Sequence, residues 1–288
     1  MKISKILASK PVTVSCEVFP PKKDADFSGV ADAARQIAAL KPDFISVTYG
    51  AGGGTSRNTV KIAKMIEDYG VTSIAHLTCV SSTREKVQEV VTEIKGAGLE
   101  NILALRGDIP KDAAFPLPGQ YHYASELIQE IKTQGDFCIG GACYPEGHVE
   151  CLNRETDIDY LKLKVEAGCE FLTTQMFFDN NILYRFLYRA LAKNITVPVI
   201  AGIMPVTNAR QIKRSVELSG TQLPGRLMAI LDRYGDDPVA MKQAGIAFAT
   251  EQILDLCANG VRGIHIYTMN KPDVAAQILN NLSAVLGR

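Results

Sequence analysis

No excess of either charge marks this chain: 31 Lys and Arg balance 31 Asp and Glu over 288 residues. Nucleic-acid binders carry a basic stripe and interaction tails a block of one sign. Neither is present, so no nucleic-acid partner is expected. No apolar run approaches the about 20 residues of a membrane span. The opening Met1-Lys2-Ile3-Ser4-Lys5 lacks the apolar core of a signal peptide. The expectation is a cytoplasmic protein without a membrane partner. There is no CxxC pair among the seven cysteines, and the nearest two, Cys138 and Cys143, are too widely spaced for a zinc knuckle. Free, reduced thiols are expected.

What is present is a core-forming composition, 47% hydrophobic and 22% charged, arranged with a strong rhythm. Residues 11–19 alternate: Val12, Val14, Cys16 and Val18 share one face, while Thr13, Ser15, Glu17 and Phe19 share the other. Pro20-Pro21 ends the run. Further short apolar runs follow at residues 44–48, 73–77, 101–105, 136–142, 171–175, 198–202 and 263–267. Helical periodicity fills the gaps, at 27–40, up to 69, 83–97, up to 132, 155–167 and 179–193, with Gly168 placed as a helix C-terminal glycine. Between the last two strands the pattern predicts additional helices at 208–219, 224–234 and 238–259, and a final helix closes the chain. Strand–helix alternation without a composition break implies a parallel sheet. Eight such units in this length predict a single domain over residues 1–288: an α/β fold, a closed (β/α)8 TIM barrel with extra helices between strands 7 and 8. The rival is an open doubly wound sheet. Gly50-Ala51-Gly52-Gly53-Gly54 has the glycines of a dinucleotide loop without its spacing or the acid roughly 20 residues on.

In such barrels the chemistry sits where strands end. Those ends carry Glu17, Thr48-Tyr49, His76, Arg106-Asp108, Tyr144, His148, Gln175 and Tyr267, whereas the strand beginnings carry only an occasional Asp or Asn. The asymmetry favours an enzyme or a ligand-binding barrel. Each residue also has a plain structural reading. Glu17 pairs with a lysine or arginine, or is a desolvated carboxyl whose raised pKa lets it donate a proton near neutrality. His76 is a satisfied core histidine or a ligand donor. Arg106 and Asp108, two apart on an extended chain, share a face and form an ion pair, or Arg106 clamps phosphate. The tyrosines Tyr49, Tyr144 and Tyr267 pack the rim or carry flat rings; His148 is a surface loop residue or a ligand contact. The glycine loop is a flexible turn or a backbone approach to a planar ligand. Gln175 offers both donor and acceptor, which suits the edge of a heterocycle.

The motifs themselves go further. Ser15-Cys16-Glu17-Val18-Phe19-Pro20-Pro21-Lys22, Ser46-Val47-Thr48-Tyr49-Gly50-Ala51, Ala75-His76-Leu77-Thr78-Cys79, Leu103-Ala104-Leu105-Arg106-Gly107-Asp108 and Ala142-Cys143-Tyr144-Pro145-Glu146-Gly147-His148 occur in that order. Thr174-Gln175-Met176-Phe177-Phe178-Asp179, Gly202-Ile203-Met204-Pro205-Val206 and His265-Ile266-Tyr267-Thr268-Met269-Asn270 follow. Together, over about residues 12–286, the sequence resembles the methylenetetrahydrofolate reductases of the bacterial, catalytic-domain-only type. The resemblance implies an FAD-dependent enzyme that reduces 5,10-methylenetetrahydrofolate to 5-methyltetrahydrofolate by ping-pong turnover, with NAD(P)H as donor. It implies Glu17 as general acid, Asp108 near flavin and pterin, and Gln175 on the pterin edge. For FAD it implies Thr48, Tyr49, Ala51, His76, Arg106, Gly107, Asp108, Tyr123, Ala124, Tyr144, His148, Cys151, Asp157, Tyr160 and Lys164, with Arg106, His148 and Lys164 on the diphosphate. For folate it adds Gln211, Tyr267 and Lys271.

The sequence departs from the family pattern in places. Lys271 stands where arginine is common, a point charge in place of a fork. Ser215 stands where some members place a phenylalanine against the nicotinamide nucleotide. Met176 replaces a phenylalanine, and Tyr160 and Leu163 replace polar FAD contacts. These leave open NADH, NADPH or an electron-donor partner protein, and a homo-oligomer is compatible with the sequence. The regulatory extension of eukaryotic members is absent, so no inhibition through an added domain is expected. Two rivals remain: a metal-dependent barrel hydrolase using Glu17, His76, Asp108 and His148, for which no strand supplies the usual His-x-His pair, and a flavin- or folate-binding barrel without turnover.

Overall fold

Every apolar run assigned to a strand pairs with its neighbours in sequence, and the last pairs with the first. The strands are β1 (Thr13–Val18), β2 (Phe44–Val47), β3 (Thr72–Thr78), β4 (Asn101–Leu105), β5 (Cys138–Cys143), β6 (Phe171–Thr174), β7 (Val199–Ile203) and β8 (Gly263–Tyr267). They are parallel and close into a barrel in the order β1 to β8, which rules out the open sheet. This is a computed structural model, and it describes residues 1–21, 26–49, 56–80, 82–109, 115–116 and 118–287. The glycine loop with Ala51 lies outside the described residues.

The helices are α1 (Ile3–Ser9), α2 (Phe27–Ala39), α3 (Ser56–Asp68), α4 (Arg84–Gly96), α5 (Ala124–Gln134), α6 (Arg154–Glu166), α7 (Asn180–Ala192), α8 (Ala209–Ser219), α9 (Gly225–Tyr234), α10 (Pro238–Ala258) and α11 (Pro272–Asn281). As expected, α8, α9 and α10 fall between β7 and β8. Capping chemistry sets several of the starts. The side chains of Thr83, Asn153, Asp179, Asn208 and Asp237 accept from backbone N–H groups in the first turns of α4, α6, α7, α8 and α10, satisfying donors that a helix start leaves free. Gly168 follows α6 at φ +115, a conformation glycine adopts without steric cost.

The alternation along β1 divides its side chains between two environments. Val14, Cys16 and Val18 join the large apolar layer between strands and helices. Ser15 and Glu17 point the other way, into the barrel. At the start of the strands the interior is apolar: Phe44, Ile74, Leu103, Cys138, Phe171 and Ile200 pack together. The fit is tight; a Cβ on Gly140 would sit 2.5 Å from the Phe171 ring and 2.8 Å from Leu103.

Helix α1, which the sequence reading did not assign, closes this end. Ile3, Ile6 and Leu7 insert into the same apolar cluster. Asn101, fully buried at the start of β4, fastens the plug: its Oδ1 accepts from Ile3 N–H at 2.9 Å, and its Nδ2 donates to Met1 O at 3.0 Å and Ser73 O at 3.1 Å. Replacing Asn101 by alanine strands buried backbone groups, each costing roughly 1–3 kcal/mol. Asn101→Ala is expected to lower unfolding free energy by about 3 kcal/mol in urea titration; a loss under about 0.5 kcal/mol would show that α1 is not held this way.

Candidate active site

With the strand starts sealed, the barrel opens at the strand ends into a cavity of about 1340 Å³. This exceeds the roughly 300–1,000 Å³ of a typical small-molecule pocket and leaves room for two ring systems. Its floor is the innermost polar layer of the barrel. Glu17 (5% exposed), Ser46, His76 and His265 meet there from β1, β2, β3 and β8. Glu17 Oε2 lies 3.4 Å from Ser46 Oγ and 3.7 Å from both His76 Nε2 and His265 Nε2. Among the described residues, these histidines are its only basic partners within 4.0 Å. The reading of Glu17 as paired to a lysine or arginine is therefore set aside.

Burial pushes the His76 imidazole down to about 4, against the opposing pull of Glu17. His76 is accordingly neutral near pH 7, and its Nε2 is buried with no hydrogen-bond partner. Tyr49, above it on the β2 side, has a buried hydroxyl in the same condition. Both residues line the cavity, and a buried polar atom without a partner is costly unless something completes it.

At the β4 end, Arg106, Gly107 and Asp108 all line the cavity, but not as an extended pair. Gly107 takes φ +87 with its Cα against Thr78, so the backbone turns and the shared-face argument fails. Arg106 is bonded instead to Glu150, Nη1 and Nη2 each 2.6 Å from a carboxylate oxygen, a bidentate pair. Of the two readings of Arg106, the ion pair with Asp108 gives way to this one.

The loop after β5 brings Tyr144, His148 and Cys151 to the cavity. The two rings meet edge-on at 4.6 Å, and burial lifts the Tyr144 phenol to about 12. His148 Nδ1 accepts from Glu150 N–H at 3.1 Å, so its hydrogen is on Nε2, and burial and Arg106 hold the ring below its ordinary value. His148 offers a hydrogen bond and not the positive charge expected of it. Asp157, Tyr160 and Lys164 present one face of α6, since residues three and four apart on a helix are neighbours. Asp157 accepts from His148 N–H at 3.3 Å, and burial raises its carboxyl. Lys164 donates to the Ala142 carbonyl, and burial lowers its ammonium. Thr48, Tyr123 and Ala124 complete this side.

Gln175 and Tyr267 face them from β6 and β8. Gln175 Oε1 accepts from Met176 N–H at 2.9 Å, leaving its NH₂ as the group presented to a ligand. Tyr267 Oη donates to Thr174 O at 2.6 Å, and its ring lies edge-on to His265 at 5.2 Å. Gly202 permits this, because a Cβ there would come within 2.7 Å of the ring. Gln211 and Lys271 stand outside the main cavity. Gln211 lines a small depression that shares Met204, Ser215 and Met269 with it, and Lys271 Nζ donates to Thr207 Oγ1 at 3.0 Å.

The sequence reading missed Ser46, His265 and Glu150. The first two were available from period two alone: Ser46 precedes Thr48, and His265 precedes Tyr267, by one step on the same face. Nothing local marks Glu150 as the partner of Arg106.

The family model for methylenetetrahydrofolate reductase matches residues 2–283. Over 272 residues the chain is 34% identical to 5,10-methylenetetrahydrofolate reductases of Pectobacterium carotovorum and of Escherichia coli K12, covering 94% of this chain and 90% of each relative. It is also 34% identical to a probable methylenetetrahydrofolate reductase (NADH) of Oryza sativa, spanning 99% of this chain and 50% of that protein. Among solved structures, an uncharacterized protein from Clostridium thermocellum that binds two copies of 5-methyl-5,6,7,8-tetrahydrofolic acid superposes with TM-score 0.61 at 15% identity, over 99% of both chains. A 2,3-dimethylmalate lyase superposes at 0.54 and 12% identity, over 99% of this chain and 85% of that one. At such identities these two show the shared fold alone.

The depressed imidazole has a consequence for stability. Below pH 6.5 the unfolded chain protonates His76 while the folded chain does not. Its contribution is therefore complete above pH 6.5 and is lost as pH falls toward 4. Each tenfold change in proton affinity is about 1.4 kcal/mol, so the loss approaches about 3 kcal/mol. Ligand-free His76→Gln should lose visibly less stability between pH 6.5 and 4 than the parent in denaturant titrations. Parallel curves would contradict a buried neutral His76.

Proposed function

We propose that this chain, which belongs to the methylenetetrahydrofolate reductase family, reduces 5,10-methylenetetrahydrofolate to 5-methyltetrahydrofolate with FAD, in alternating half-reactions with NAD(P)H. The observation that carries the reading is Glu17: a carboxyl buried in the lumen, without a Lys or Arg partner among the described residues, at the floor of a cavity large enough for two ring systems.

The residues present fit a flavin dinucleotide. The orphaned His76 Nε2 and Tyr49 hydroxyl await polar ligand atoms. Arg106 and Lys164, with His148 as a neutral donor, suit a diphosphate, for which Arg106 would exchange its contact with Glu150. Bound there, FAD supplies the hydride that it has taken from the pyridine nucleotide. The chain supplies the rest. Glu17 gives its proton to the folate nitrogen that leaves as the five-membered ring opens: the carboxyl O–H breaks, N–H forms, and a carboxylate remains beside an iminium cation. Asp108, at the cavity wall, favours that cation by its charge. The Gln175 NH₂ reads an acceptor on the pterin edge, its carbonyl being occupied by Met176 N–H. The proton Glu17 loses is restored from water through the open mouth once product leaves.

Purified protein loaded with FAD should bleach anaerobically with NADH or NADPH and regain its colour on adding methylenetetrahydrofolate. Bleaching by neither nucleotide, with folate-dependent recovery after chemical reduction, would move the electron source to a partner protein. Absence of folate-dependent recovery would overturn the reading. Glu17→Gln should still bind FAD and bleach, while its folate half-reaction falls ~10²–10⁴-fold; near-normal recovery would remove Glu17 from the mechanism. Asp108→Asn should slow the folate half-reaction by at least about tenfold with FAD affinity little changed. Loss of FAD alone, with no separate kinetic effect, would count against that role.

A further inference from the structure

Behind Glu17 runs a line of hydrogen bonds. Ser15 Oγ donates to Ile264 O at 3.1 Å. The same Oγ is 2.8 Å from His265 Nδ1. With its hydrogen committed, Ser15 must accept, and His265 must carry a hydrogen on Nδ1. In the neutral ring this leaves Nε2 as a bare acceptor. Ser46 Oγ sits 3.4 Å from that Nε2 and 3.4 Å from Glu17 Oε2.

Two arrangements follow. If Glu17 holds its proton, it donates to Ser46, Ser46 donates to His265 Nε2, and every member of the line is satisfied. If Glu17 is ionised, Ser46 turns to the carboxylate and His265 Nε2 is left buried without a donor, which costs free energy. We infer that Ser15, His265 and Ser46 form a one-way hydrogen-bond chain that keeps Glu17 charged with its proton until folate takes it, with His265 and Ser15 as positioning residues. The inference rests on the reading of Glu17 as the acid.

The groups facing Glu17 are Ser46 from β2, His76 from β3, and His265 and Tyr267 from β8. Tyr267 directs its hydroxyl to Thr174 O, and His76 Nε2, 3.7 Å from Glu17 Oε2, lies farther off than Ser46 Oγ at 3.4 Å. Ser15 is completely buried and does not line the cavity, so it reaches the folate step only through His265.

The test is the pH profile of the folate half-reaction, started from reduced, FAD-loaded enzyme. Ser15→Ala frees the chain's direction, and His265→Asn keeps a donor near Nδ1 but withdraws the acceptor from Ser46. Both should move the high-pH fall in rate about one pH unit lower, a roughly tenfold slower reaction on that limb. His265→Gln, which returns an acceptor toward Ser46, should recover most of the shift. Because either variant can disturb packing, infrared difference spectra of the unsubstituted enzyme provide a second measurement: a protonated-carboxyl C=O band that Glu17→Gln abolishes. Profiles that superpose on the parent's, or no such band, would overturn the chain. If Glu17→Gln itself reacts normally, it is the acid assignment that fails, and not this inference alone.

Discussion

A carboxyl group inside a closed parallel barrel is the constraint from which the rest of this architecture can be understood. Closure uses the main-chain donors and acceptors of all eight strands in the barrel, so the lumen has little free backbone with which to solvate a side chain. Glu17 is there nonetheless, with no Lys or Arg beside it among the described residues and two imidazoles at 3.7 Å. Such a group is expensive to keep unless a reaction uses it. The neutral His76 cannot compensate a negative charge, and Ser46 offers a single hydroxyl. This is the setting that the proposed role of Glu17, holding a proton and then giving it to folate, would use.

The two ends of the barrel divide the remaining work. The strand starts are packed dry and plugged by α1, through Ile3, Ile6 and Leu7 and the three hydrogen bonds of Asn101. A floor this rigid lets the polar layer above it hold its geometry, which catalysis requires to within fractions of an ångström. The strand ends are left open and carry charge. There Arg106 and Glu150 hold each other bidentately, and Lys164 and Asp157 share a face of α6. The helices α8 to α10 form a small core of their own around Met176, Phe178, Ile212 and Leu227, which walls the β6–β8 side without filling the mouth.

Much of this was legible in the sequence because a barrel states itself locally. The run Asn101–Leu105 and the run Gly263–Tyr267 are strands with the boundaries that periodicity assigns, and the alternation of β1 put Glu17 on the face opposite Val14, Cys16 and Val18. What failed did so for identifiable reasons. Helix α1 is short, and its apolar residues become a pattern only against Phe44 and Phe171, contributed from far along the chain. The Arg106–Asp108 pair assumed an extended backbone, which the positive φ of Gly107 abolishes. The partner of Arg106 arrives from a loop 44 residues away, beyond any local signal. His265 and Ser46 were overlooked because attention to the tips of strands passes over the layer one step below them.

The proposed reduction requires folate to meet Glu17 within this lumen. A crystal structure of the FAD-loaded protein with 5-methyltetrahydrofolate examines that directly. The predicted result places the pterin against the Gln175 amide, with a folate nitrogen within hydrogen-bond reach of Glu17, directly or through one water. A folate bound elsewhere, with Glu17 touching only Ser46 and the two histidines, would contradict it.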